Sequence, residues 1–188
     1  RKGTEPLVEG LLGTLPSDAG NPHKCAVPHS EVGDTLNRKL LSSIGELVCD
    51  YLIYYFLSTA WHEWVHLWVL QALGGDGYIK RTWFGGVCVA TQLPGRGLFL
   101  FYLAGGLGCG LTWLLLAWWS YVDEDWEDYT ALLMNALPQI AYGVFEAFCI
   151  TWMTLAQYML WATVVQSVAL VIACLIALPS LVEYWRSL

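Results

Sequence analysis

The chain has 188 residues, 56% of them hydrophobic and only 13% charged, with a formal net charge of −7. A soluble domain carries about 25% charged residues, so this composition argues against a water-exposed globule. No basic cluster is large enough to hold nucleic acid.

The charge sits in islands: the first 46 residues, 74–96, 123–128 and the C-terminus, with long apolar runs between them. That pattern predicts several membrane spans. Many of the 11 Trp and 10 Tyr fall near the ends of apolar runs, as in Trp118–Trp119–Ser120–Tyr121 and Tyr184–Trp185. Such amphipathic rings suit the membrane–water interface. Six cysteines are scattered singly with no CxxC pair, so a disulfide framework is not expected. The sequence begins with Arg rather than Met, which leaves room for a leader before it.

Residues 1–40 are rich in Gly, Pro, Ser and charge, lack periodicity, and read as a flexible or peripheral tail. His23, Lys24, Cys25 and His29 fall there without a recognised metal-ligand spacing. Residues 41–188 read as one transmembrane domain. Its first span is expected at about 47–73, apolar except for Asp50, His62, Glu63, His66 and Gln71, and stopped by Gly74–Gly75–Asp76–Gly77. Tyr78 to Gln92 favours two short strands, with Gly85–Gly86 as the turn. The second span covers about 97–122, where Gly106 and Gly110 allow two backbones to approach closely. The third covers about 129–152 and the fourth about 158–181. The expected fold is an all-α transmembrane bundle of about four spanning helices, with a small β-hairpin between the first and second.

His62-Glu63-Trp64-Val65-His66 fits the pattern H-E-x-x-H. Residues four apart share a helix face, so both imidazoles can hold one metal ion. Glu63, next to the first histidine, is placed to accept a proton from an activated water. Charged groups near a bilayer centre cost roughly 2.5–3.5 kcal/mol each, and metal binding would offset that cost. An ion or proton pathway, or a buried polar cluster, would account for the same residues.

Zinc hydrolases use three protein ligands and keep one position open. Asp50 is 12 residues before His62, about 18 Å along the helix, and too far to share the ion. The third span runs parallel to the first. The motif centre and Glu146 lie ~13 Å and ~9 Å from the same membrane face, against ~25 Å for Asn135. Asn135, Gln139, Tyr142 and Glu146 form one polar stripe, spaced four, three and four. Its uncharged members serve either helix–helix hydrogen bonding or the substrate backbone and developing oxyanion.

From about Leu47 to Ala147 the chain resembles the site-2 protease family of intramembrane zinc metalloproteases. HEWVH in a membrane helix is followed by a Gly-rich stop and a short β-region containing Phe84–Gly85–Gly86–Val87. Leu103–Ala104–Gly105–Gly106–Leu107 is similar to the family's A-G-P-containing span, and Asn135-Ala136-Leu137-Pro138 to its N-x-x-P-x-x-x-x-D-G element. The family's metal-binding Asp would fall at Gly143, and Glu146, one turn on, is expected to replace it. The resemblance implies hydrolysis of membrane-embedded protein substrates, with Zn2+ held by His62, His66 and Glu146 and with Glu63 as general base. It also implies that the N-terminus lies outside and the 74–96 loop in the cytoplasm. An inactive relative that only binds, or a metal or proton transporter, are the rival readings.

Overall fold

Helix α1 (His29–Ala72) begins just after Pro28, the last proline before a long stretch with none to interrupt i→i−4 hydrogen bonding. The computed structural model describes residues 29–82, 85–93, 97–150 and 152–187. Residues 29–40, expected within the tail, are therefore helical. The rest of that tail, His23, Lys24 and Cys25 included, lies outside the described residues. The helix ends where Gly74 takes a left-handed φ of 81°. Gly74 N–H then reaches Gln71 O at 3.0 Å and Gly75 N–H reaches Leu70 O at 2.9 Å, a Schellman closure that satisfies two terminal carbonyls.

Strands β1 (Asp76–Thr82) and β2 (Gly85–Gln92) pair antiparallel. The expected turn at Gly85–Gly86 is corrected: Gly85 pairs with Thr82 and Gly86 with Arg81, so both are strand residues. Gly86 serves packing, since a Cβ there would sit 2.7 Å from Ile79 Cγ2.

Helices α2 (Leu98–Val122), α3 (Trp126–Cys149) and α4 (Leu155–Ser187) complete the chain. Asp125 caps α3 by accepting from Asp128 N–H, and Glu127 and Asp128 in the first turn complement the helix dipole. All four helices are long and apolar enough to cross a membrane. The bundle carries the hairpin between its first two helices, as the β-favouring residues of 78–92 predict.

Helix α3 is central and contacts α1, α2 and α4. Its tightest approach is to α2, where Gly106 and Gly143 meet backbone to backbone and Gly110 lies against Ala136 O and Ile140. Cys109, Trp113, Ala117, Leu132 and Ala136 form the α2–α3 core. Leu133 packs on Ala173 and Ala177 of α4. Large apolar side chains such as Leu115, Trp119, Phe56 and Leu175 point outward. Such a surface would be a liability in water and suits contact with lipid tails.

At one end of the bundle, α1, α3 and α4 are tied by polar contacts. Ser43 Oγ donates to Glu127 Oε1 at 2.7 Å and accepts from Trp185 Nε1 at 2.8 Å. Tyr54 OH donates to Asp128 Oδ1 at 2.8 Å. Further along, a cavity of about 380 Å³ opens between α1, α3 and α4.

Candidate metal centre

His62 and His66 lie one turn apart on α1 and are 5% and 4% exposed. Their Nε2 atoms face each other at 3.0 Å. Glu146 enters from α3, with Oε2 3.7 Å from His62 Nε2 and 3.5 Å from His66 Nε2. The three ligand atoms form a compact triangle that could hold a metal ion. Tetrahedral ligands about 2.0–2.1 Å from zinc are about 3.3 Å apart, so the triangle already has nearly that size.

The hydrogen-bond pattern suits the cluster to a cation. His66 Nδ1 donates to Phe101 O at 2.7 Å, and His62 Nδ1 to Gln139 Oε1 at 2.9 Å. With each Nδ1 carrying the proton, both Nε2 lone pairs point inward. Glu146 Oε2 is fully buried and has no hydrogen-bond partner. Two lone pairs and an orphaned carboxylate oxygen aimed at one point repel unless a positive charge lies between them.

Gly105 of α2 supplies the space. A Cβ at this position would collide with His66 Nε2 and lie 2.7 Å from His62 Nε2. Gly143 is equally confined, with a Cβ falling 2.8 Å from both Gly106 Cα and Leu107 N. The α2–α3 contact thus leaves no room for a carboxylate at 143; Glu146 stands one turn further along α3.

Glu63 faces the hairpin. Its Oε2 accepts from Cys88 N–H at 2.6 Å. Cys88 lies opposite Ile79 in the ladder, and its amide bonds to Glu63 of α1 rather than to β1, which puts it on the outer edge of β2. One oxygen of the carboxylate is thereby fixed to the strand. Burial and the nearby Glu63 charge push the Cys88 thiol up to about 11.

The other expected site residues separate into different roles. Gln139 is tied to His62, and Tyr142 has its ring 5.4 Å from the His62 ring. Both line the cavity together with His62, Glu63 and Asn135. Asn135 spends its Nδ2 on Ala131 O at 2.9 Å and Tyr51 O at 3.3 Å, tying α3 to α1. Three contributors escaped the sequence reading: the Phe101 carbonyl, the Cys88 amide and the void at Gly105. Backbone groups carry no side-chain signal. Gly105 is masked by its neighbour Gly106, although one residue turns the helix face by about 100°.

The fold and cluster together define a helical bundle with four candidate spans and a buried site able to bind metal through two histidines and one glutamate. No protein-family model, curated protein or solved structure matches the chain.

Proposed function

We propose that this protein is an intramembrane zinc metalloprotease of the site-2 protease type. The single observation that carries the reading is the convergence of His62, His66 and Glu146 from two helices on one buried point, with Glu146 Oε2 otherwise unpartnered. Two neutral imidazoles and one carboxylate form a donor set typical of catalytic zinc, which keeps a fourth position open. When bound, zinc would lower the pKa of a water toward ~7 and polarise a scissile carbonyl.

Glu63 is the general base. It takes a proton from the attacking water as the C–O bond forms, then delivers it to the amide nitrogen as the C–N bond breaks. Gln139 and the Phe101 carbonyl hold the two imidazoles in the productive tautomer. A helical substrate must unwind, because a helix engages its own carbonyls. The open edge of β2 beside Glu63 offers amides to an extended segment. The cavity between α1, α3 and α4 has room for several side chains next to His62 and Glu63.

The test is metal analysis of detergent-purified protein beside cleavage of a membrane-embedded reporter. About one zinc per chain with cleavage that Glu63→Gln abolishes supports the reading. Zinc without cleavage would assign an inactive binding protein, and metal or proton flux in liposomes without cleavage would assign a transporter.

A further inference from the structure

Tyr158 stands in the first turn of α4, is buried, and has no role in the hydrolysis as described so far. Its hydroxyl donates to Tyr142 OH at 2.7 Å. Its ring stacks on Phe145, with centroids 5.5 Å apart and planes at 27°. Tyr142 lies one turn before Glu146 on α3, and lines the cavity beside His62, Glu63 and Gln139.

A phenol hydroxyl has one proton to give and can accept as well. Tyr142 accepts from Tyr158, so its own proton is left to give, and no acceptor for it is found among the described residues. An accepted hydrogen bond polarises the O–H and makes it the stronger donor. Tyr142, the receiving end of the pair, lines the cavity with its ring beside His62.

We propose that Tyr158 is a positioning residue that orients and polarises Tyr142 as the hydrogen-bond donor to the substrate's scissile carbonyl oxygen as negative charge develops there. The inference rests on the protease reading and adds the group that stabilises the oxyanion. Asn135 is unsuited to that task, since its amide is spent on the Tyr51 and Ala131 carbonyls. The pair also links α4 to catalysis, because Tyr158 is brought to Tyr142 only when α4 is packed on α3.

Two measurements test the pair. The first uses ring-labelled tyrosine NMR on metal-free protein, with the Tyr142 signal assigned by its loss in Tyr142→Phe. Tyr158→Phe keeps the ring on Phe145 and removes only the hydroxyl, so the Tyr142 signal should move. The second is a double-mutant cycle on cleavage. Tyr142→Phe should lower kcat about 100-fold with little change in KM, as loss of one oxyanion donor does. Tyr158→Phe should lower kcat roughly tenfold, and Tyr142→Phe/Tyr158→Phe should be no slower than Tyr142→Phe alone. An unmoved Tyr142 signal, a Tyr158→Phe enzyme at full rate, or additive losses would each overturn the inference while the protease reading stands. Zinc-loaded wild-type protein that cleaves nothing would overturn both.

Discussion

The protein fold itself holds the Nε2 atoms of His62 and His66 and Oε2 of Glu146 together. His62→Ala or His66→Ala should therefore drop the metal content from about one zinc per chain to near zero, measured by elemental analysis of detergent-purified protein. Glu63→Gln should keep the zinc, since Glu63 is not a ligand, and its carboxamide can still accept from Cys88 N–H. Gly105→Ala is the most local test of the cavity itself. One added methyl pointed at both imidazoles should expel the ion while helical content, read by circular dichroism, stays unchanged. Full zinc occupancy in Gly105→Ala would mean that the ion lies elsewhere. The Cys88 thiol offers a check on Glu63 that needs no turnover. Burial first, and the Glu63 charge second, hold the thiol up at about 11. A raised pKa means little thiolate near neutral pH, and hence slow alkylation. Removing the negative charge in Glu63→Gln should lower that pKa and speed alkylation of Cys88, in a protein with its other cysteines replaced. An unchanged or slower rate would contradict the Glu63–Cys88 contact.

Among the elements, the α2–α3 pair decides which positions on α3 have room for a side chain. Gly106 and Gly143 bring the two backbones into contact, and a side chain at 143 has nowhere to go. The resemblance to the site-2 proteases points to position 143 for an acid; under the proposed function Glu146, one turn along, takes that part. Gly143→Asp should not restore zinc to Glu146→Ala, because its carboxylate would be driven into Gly106 and Leu107. Overpacking of this kind costs typically 1–3 kcal/mol, so Gly143→Asp alone should lower the unfolding temperature in detergent. Recovery of zinc in the double variant would show that the helices can separate enough to use either position. Glu146→Asp, one methylene shorter on the same face, should retain weakened binding.

For the whole molecule, the polar tie of Ser43, Glu127 and Trp185 fixes which loops share a face. The N-terminal part of α1, the 123–125 loop and the end of α4 lie at one end of the bundle. Spans of this length put the hairpin at the other end. A cysteine placed at Asp123 and one placed at Lys80 should therefore label from opposite sides of a sealed vesicle, in a background free of other reactive cysteines. Labelling from the same side would remove one span.

The sequence by itself determined the spans, the hairpin and the histidine pair, because each is a local pattern. Apolar runs of membrane length, two β-favouring segments and an i,i+4 spacing are carried by neighbouring residues. Glu146 was legible one step further, through depth in parallel helices, since the rise per residue is fixed. The start of α1 was not, because residues 29–40 carry the composition of a tail while nothing in them blocks a helix. Nor was the hairpin register, where Gly85 and Gly86 look like a turn and are strand residues. Only the tertiary structure decided how the cluster is completed. The Phe101 carbonyl and Cys88 amide become partners through backbone placement, which no residue type announces. The void at Gly105 and the exclusion at Gly143 exist only because α2 and α3 approach at glycine contact. Tyr158 meets Tyr142 because α4 folds back on α3, a distance that spacing along the chain cannot supply.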